Sequence, residues 1–291
     1  MISAKVVADS INESGNRITS LVIVIPRIVL AELNTHRALS KNSASSRAIP
    51  FKKMLNLVQE EPFIPLAFQK DHKGMQGTEY FTEVADKNNC INMWLDARDK
   101  AVASAKELNE FGVTKQLCNR VLEPFMYHTV LITATEWENF MALRNHQDAE
   151  IHIQAAAIEI LAAMNASTPT LLKEGEWHIP FGDKFDHTRI RKMLSESDII
   201  PYAVLQSAMV EIATARCARV SYLNFEGKDD YEADVTLHDQ LLQSGHMSPF
   251  EHCAQAASGD TISGNFVGWT QYRKMYVEEN RKDNRIIKTK I

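Results

Sequence analysis

Two segments rich in apolar and β-branched residues, 3–8 and 17–25, flank the polar run Glu13-Ser14-Gly15-Asn16. Segments of this composition predict β-strands, and a short polar connection that contains glycine predicts a tight turn between them. Pro26 follows the second strand, and proline is favoured at the first position of a helix because its φ angle is already suitable. The N-terminal segment is therefore predicted to be a β-hairpin that leads into a helix, which indicates a mixed α/β (α+β) fold.

The remainder of the chain also alternates between helical and extended patterns. Apolar residues at helical intervals predict helices at 80–110, 113–121, 136–145, 149–165, 205–218, 236–244 and 264–276. Strands are predicted at 125–133 and 253–257. Proline and glycine recur in 58–78 and 168–188, which predicts two long loops.

A polar and basic run, residues 35–47, follows the first predicted helix. Its imidazole, guanidinium, hydroxyl and backbone N–H groups can all donate hydrogen bonds, and Arg47 can bind a phosphate through two nitrogens. On composition alone, a solvated cap or turn is the commoner interpretation, and an anion site is the alternative. Further motifs decide between them.

Several blocks of this sequence resemble the flavin-dependent thymidylate synthases. That family carries Arg-His-Arg, seven residues and a serine, and the matching residues here are His36, Arg37, Ser40, Asn42, Ser45 and Arg47. Thr35 stands where the family has its first arginine. Residues 139–144 and 149–154 resemble the family's Asn-Phe-Leu-x-Leu-Arg and Ala-Gln-Trp-Glu-Ile-Gln, and 112–124 resembles the segment that precedes them. These blocks keep the family's order.

One block is out of order. The family begins with Ala-Arg-Val-Ser-Phe and Gly-His-x-(Ser/Thr)-Pro-Phe-Glu-His, whereas 218–222 and 245–252 carry these motifs near the C-terminus. We expect a circular permutation within a single domain spanning 1–291, because domain termini often lie close together. Residues 254–274 also resemble a second copy of the strand, turn and helix plan of 19–37. In that copy, Arg273 is a candidate for the charge that Thr35 lacks, or else simply ends a surface helix.

The resemblance implies a reaction. It implies transfer of a one-carbon unit from methylenetetrahydrofolate to C5 of deoxyuridine monophosphate (dUMP), which gives dTMP. Flavin adenine dinucleotide (FAD) is the implied redox cofactor, NADPH its reductant, and a homotetramer the implied assembly. The protein's own part would be to position the ligands and to stabilise charge on the pyrimidine.

The resemblance also assigns roles to residues. Positions that match nucleotide-binding residues are Glu32, Ser45, Ser46, Arg47, Arg120 and Arg144. Positions that match residues near the flavin are His36, Arg37, Asn42, Asn139, Ser221 and His252, to which Arg273 is added as a candidate. Arg144 is the expected catalytic residue, because a fixed cation at the pyrimidine favours its enolate-like form.

Several positions depart from the family and leave alternatives open. Glu32 replaces a glutamine, Ser43 replaces a glutamate, and Thr133 and Thr135 replace an asparagine and an arginine beside the flavin diphosphate. Residues 150–152 replace Gln-Trp-Glu. One alternative is hydroxymethylation, or methylation of another pyrimidine deoxynucleotide such as dCMP. The other is a nucleotide-binding relative without catalysis.

Composition narrows the possible classes of function and location. A net charge of −5 and a pI of about 6.1 give no general attraction to nucleic acid, and the basic end, 281–290, is expected to be a solvated tail. We expect no membrane segment, no signal peptide and a cytoplasmic location. The cysteines lie at positions 90, 118, 217 and 253, without the spacing of a disulfide framework or a zinc site, so we expect neither a metal nor a cysteine nucleophile.

Overall fold

The predicted hairpin forms the centre of a five-stranded sheet in the computed structural model, which describes residues 1–74, 77–195, 200–222, 230–276 and 279. β1 (Ser3–Asn12) and β2 (Arg17–Pro26) pair antiparallel. The turn between them places Gly15 at a φ of 88°, which a residue with a Cβ rarely adopts. The predicted strands and turn are confirmed.

Three further strands complete this sheet: β3 (Ser40–Ser43), β4 (Tyr127–Ala134) and β5 (Thr170–Leu172). The strand order is β3-β4-β2-β1-β5, with β5 parallel to β1 and the other neighbours antiparallel. β3 lies within the polar run 35–47 and was not predicted, because its four residues are too polar to resemble a strand. It draws that run to the edge of the sheet.

Helices cover both faces of the sheet. Side chains of a strand alternate between faces, so Ile23 and Ile132 pack with the helices α1 (Leu30–Thr35), α5 (Glu138–Arg144) and α6 (Ile151–Ala166). Val22 and Leu131 point to the opposite face, where they pack against Cys217 in α8 (Tyr202–Arg219). These predicted helices are confirmed, and they produce a layered α/β arrangement.

The other helices form two smaller apolar clusters beside the sheet. One cluster joins α2 (Phe51–Glu60), α3 (Val84–Glu110) and α4 (Lys115–Leu122). The other joins α7 (His187–Leu194) and α9 (Tyr231–Ser244) to α8. The sequence did not predict α2 or α7. No described helix has the length and apolar character needed to cross a bilayer.

The predicted helix at 264–276 is wrong. The region instead contains two short strands, β9 (Phe266–Val267) and β10 (Trp269–Gln271), followed by a 3₁₀ turn at Tyr272–Met275. These strands pair with further short strands outside it, since β10 and β6 (Trp177–His178) pair with β7 (Ala254–Ala256), and β9 pairs with β8 (Ile262–Ser263). Gly264 and Gly268 have φ angles of 63° and 76°, which end any right-handed helix. The predicted second copy of the strand, turn and helix plan therefore lacks its helix. The predicted loop 168–188 likewise contains β5 and β6, and the tail 281–290 lies outside the described residues.

Candidate functional site

Ser45, Ser46 and Arg47 line a cavity of about 540 Å³ together with Arg120. Backbone hydrogen bonds fix this loop: Ala44 N donates to Thr129 O at 2.9 Å, and Ser45 N donates to Ser221 O at 3.0 Å. From α4, the buried Asn119 amide donates to the carbonyls of Ser46 and Ile49, at 2.7 and 3.0 Å. The loop is thus held from both sides, with its hydroxyls and guanidinium at the cavity.

The cavity is strongly cationic. Its lining includes Arg27, Lys41, Arg47 and Arg120, against one acidic residue among those the structure describes, Glu123. Glu123 is already ion-paired with Arg27, at 3.1 Å. Within the described ranges, neither Arg47 nor Arg120 forms an ion pair, and Arg47 Nε donates only to the neutral side chain of Gln116, at 3.2 Å. Two guanidinium groups are therefore available to an anion.

Arg144 does not line this cavity but belongs to a second group at the ends of α1 and α5, which Lys41 of the cavity lining contacts by donating to His36 O at 2.6 Å. Arg144 Nε donates to His36 Nε2 at 2.9 Å, and its Nη2 donates to Thr35 Oγ1 at 3.3 Å. Because an arginine only donates, His36 Nε2 accepts and the imidazole is neutral. Burial, followed by the charges of Arg144 and Lys41, lowers the pKa of His36. The ring also packs edge-on against Phe140, so its position is fixed.

Three predicted residues lie around this second group. Asn139 is exposed and hydrogen-bonded to His36, and Arg37 is exposed. Glu32 is half-buried on α1, and its Oε2 has no hydrogen-bond partner among the described residues although that atom is buried. A carboxylate oxygen in this state is available to a ligand that donates a hydrogen bond.

The C-terminal motifs pack against the N-terminal loop. Asn42, which lines the cavity, donates from its side-chain amide to Cys217 O at 3.0 Å. Ser221 is half-buried and accepts from the loop through its carbonyl. His252 is fully buried, and its Nδ1 is hydrogen-bonded to Thr133 Oγ1 at 2.8 Å. Residues far apart in the chain therefore meet at one end of the sheet.

His252 ends a continuous chain of buried hydrogen bonds that the sequence did not predict. From Thr133 it continues to Ser20 at 2.6 Å, to His178 at 2.9 Å and to Ser10 at 2.9 Å. Burial lowers the pKa of both His178 and His252 to about 3, so both rings are neutral at pH 7. Thr133 is thereby committed to this chain.

Arg273 is engaged by acidic residues of the C-terminal part of the chain. It is ion-paired with Glu251 and, at 3.4 Å, with Glu279, and it follows β10 in a 3₁₀ turn rather than ending a helix. The guanidinium that contacts Thr35 is that of Arg144. Sequence reasoning also missed Arg27, Lys41, Glu123 and His128, which line the cavity. Their residue types are visible in the sequence, but their convergence depends on the pairing of β2, β3 and β4.

A comparison with protein families identifies the family of this chain. The model of the family described as thymidylate synthase complementing protein matches residues 16–170, just over half of the 291 residues. The chain belongs to this family. The resemblance found in the sequence motifs is therefore confirmed, together with the mixed α/β fold. Membership of the thymidylate synthase complementing family supports a methyltransferase-like enzyme and a thymidylate synthase-like methylation of a nucleotide.

Similar solved structures include PolB, a UMP/dUMP methylase from Streptomyces cacaoi, bound with 5-Br UMP. It is 15% identical, with a TM-score of 0.45, and the match covers 56% of this chain and 88% of that chain. The same methylase bound with 5-Br dUMP is 14% identical, with a TM-score of 0.44, and covers 56% and 89%. No curated protein matches the chain.

Proposed function

We propose that this protein transfers a one-carbon unit from methylenetetrahydrofolate to C5 of dUMP, in a flavin-dependent reaction that gives dTMP. The observation that carries the proposal is the convergence of Ser45, Ser46, Arg47 and Arg120 in one cationic cavity. All four residues lie within the segment that matches the thymidylate synthase complementing family.

The phosphate of the nucleotide would bind in this cavity. Ser45 and Ser46 would donate from hydroxyl groups, and Arg47 and Arg120 would supply charge-assisted hydrogen bonds. Neither arginine has to leave an acidic partner within the described residues, so binding breaks no existing ion pair. This arrangement favours a phosphate monoester over an uncharged nucleoside.

The flavin requires a further anion site, and Arg37 fits that requirement together with Lys41, which lies near Arg37 and also lines the cavity. Burial and then the nearby Arg37 guanidinium lower the pKa of Lys41, and they outweigh the attraction of Glu251, so the ammonium group would be stabilised by an anionic ligand. Thr133 and Thr135 do not fit a diphosphate, because Thr133 is committed to the buried chain and Thr135 accepts from Val267 N at 3.1 Å. The diphosphate would therefore be held by Arg37 and Lys41, with His36 and Asn42 adjacent.

A bound flavin supplies hydride transfer, with NADPH as its reductant, and the folate supplies the carbon unit. The chain's own contribution is electrostatic. Arg144 is fixed by its hydrogen bonds to His36 and Thr35, so its charge is positioned before the pyrimidine ring becomes electron-rich. His36 acts as a positioning residue, because its neutral ring accepts from the guanidinium and holds its orientation.

A thiolate mechanism is disfavoured on physical grounds. Burial raises the pKa of Cys253 to about 12 and raises that of Cys217 well above its ordinary value. Cys118 is buried as well, and Cys90 lies half-buried on α3, outside the residues that line the cavity. A buried thiol that stays protonated is a poor nucleophile.

The test is product identification with purified protein, FAD, NADPH and labelled methylenetetrahydrofolate. Formation of labelled dTMP from dUMP supports the proposal, and Arg47→Ala should reduce dUMP affinity about 10- to 150-fold, which corresponds to about 1.5–3 kcal/mol. Lys115→Ala is the control for loss of a cation near the cavity. Lys115 begins α4 and its Nζ donates to Ala48 O, but it does not line the cavity. Protein that binds no flavin and transfers no label would refute the flavin-dependent reaction and favour a relative without catalysis.

The buried, unpaired Oε2 of Glu32 favours a second candidate function. A carboxylate oxygen can accept a hydrogen bond from the exocyclic amino group of cytosine, whereas it would repel the O4 carbonyl of uracil. The alternative is therefore methylation or hydroxymethylation of dCMP at C5. Comparing products from dUMP and dCMP, with wild type and Glu32→Gln, decides between them: a preference for dCMP that Glu32→Gln abolishes would establish the alternative.

The wider organisation follows from the same proposal. The contacts of Asn42 with Cys217 and of Ser45 with Ser221 support a single domain over 1–291 in which permuted motifs complete the site. The remaining elements of the proposal are a homotetramer, a cytoplasmic location and a nucleotide monophosphate, not a nucleic acid, as the phosphorylated partner.

A further inference from the structure

His128 is a buried histidine with an unusual lack of partners. It lies on β4, it is only 3% exposed, and it lines the cationic cavity. Neither its Nδ1 nor its Nε2 has a hydrogen-bond partner in the described part of the chain. Arg27 Nε, in the same lining, is also buried without a partner there. Two neighbouring side chains thus leave polar atoms unpaired at one wall.

The register of the sheet explains why the two residues are neighbours. Ile25 pairs with His128 and Pro26 with Tyr127, and Arg27 follows directly, with its N–H donating to Met126 O at 3.0 Å. Arg27 thus leaves the sheet beside His128. Burial, and then the Arg27 charge, lower the pKa of His128 to about 4. At pH 7 the imidazole is therefore neutral, with one N–H to donate.

A buried imidazole without hydrogen-bond partners is unfavourable in the core of a sheet. Most buried polar groups are hydrogen-bonded, and an apolar ring of similar shape would avoid the cost of desolvation. Phenylalanine would therefore suit fold stability at least as well. A histidine that leaves both ring nitrogens unpaired among the described residues, and that lines a cationic cavity, is better explained by a contact with a ligand.

We infer that His128 is a ligand-contacting residue of the cavity, and that its imidazole N–H donates a hydrogen bond to a phosphoryl oxygen of the bound nucleotide. Arg27 Nε donates to the same group. The inference rests on the proposed function, because it assumes that the phosphate occupies this cavity. The charges that face His128 across the cavity are Lys41, Arg47 and Arg120, with Glu123 as the acid, and they favour an anionic acceptor over a neutral one.

His128→Phe and His128→Gln form the matched pair for the test. Phenylalanine keeps a ring of similar shape without a donor, and glutamine keeps a donor. Binding of inorganic phosphate and of dUMP is measured by calorimetry, and thermal unfolding is followed without ligand. His128→Phe should bind both about 10-fold more weakly, which is the loss of one hydrogen bond, with Tm unchanged or raised. His128→Gln should retain most of the affinity.

A spectroscopic readout on the wild type keeps the test valid if a variant does not fold. The imidazole nitrogen resonances of His128, assigned by their absence in His128→Gln, should shift on titration with inorganic phosphate. If these resonances do not move while phosphate binds and Arg47→Ala weakens that binding, the role of His128 is refuted and the proposed function stands. If neither phosphate nor dUMP binds the wild type, both the inference and the proposed nucleotide site fail.

Discussion

Replacing Thr133 with valine should lower the free energy of unfolding by about 2 kcal/mol, although the two side chains have the same shape. Thr133 Oγ1 is hydrogen-bonded to Ser20 at 2.6 Å and to His252 at 2.8 Å. Ser20 would keep its bond to His178, at 2.9 Å. His252 would keep none within the described residues, since its Nε2 is already unpaired there. Leaving one buried polar group unpaired costs about 1–3 kcal/mol.

Urea denaturation, followed by circular dichroism, measures this loss. With a slope of about 2 kcal/mol per M, the midpoint should fall by roughly 1 M. Thr129→Val is the matched control, because Thr129 lies on the same strand and face, is half-buried, and makes no side-chain hydrogen bond among the described residues. The control should change stability by less than about 0.5 kcal/mol. Equal losses of stability in the two variants would show that the buried series of hydrogen bonds does not stabilise the fold.

Three further predictions concern protonation and chemistry. Stability should fall as the pH drops below about 6.5, because the unfolded chain protonates His178 and His252 there, whereas the folded protein does so only near pH 3. By pH 5, the free energy of unfolding should fall by about 2 kcal/mol for each of these histidines, as measured by urea denaturation at each pH. A free energy of unfolding that does not change with pH would contradict this prediction. Arg144→Ala should raise the pKa of His36 in an NMR titration, since the guanidinium lowers it, and should slow turnover at saturating dUMP; an unchanged His36 titration would be inconsistent with the contact. Cys253→Ala should keep activity in the same product assay, and a nucleotide adduct trapped at this cysteine would overturn the mechanism.

Local patterns in the sequence were sufficient where structure depends on neighbouring residues. The hairpin of β1 and β2 follows from two β-branched segments around Gly15, and α3 and α6 follow from apolar residues at helical intervals. The same reasoning failed for 264–276. The apolar spacing there resembles a helix, but Gly264 and Gly268 take left-handed φ angles where the chain reverses between short strands.

The motif residues were also readable from the sequence, because a resemblance preserves residue type and spacing. It identified Ser45, Arg47, Arg120 and Arg144 as one set, and the first three line a common cavity. The resemblance also suggested that Arg273 replaces the charge missing at Thr35. Tertiary structure instead pairs Arg273 with Glu251 and brings Arg144 to Thr35.

Sequence by itself therefore determined the α/β class, most of the elements and the family. Tertiary structure decided which polar groups are left without partners. His128 and Arg27 are unremarkable in the sequence, and only the register between β2 and β4 brings them together on the cavity. The physical reason is that burial and hydrogen-bond satisfaction depend on contacts between residues about a hundred positions apart, which no local pattern records.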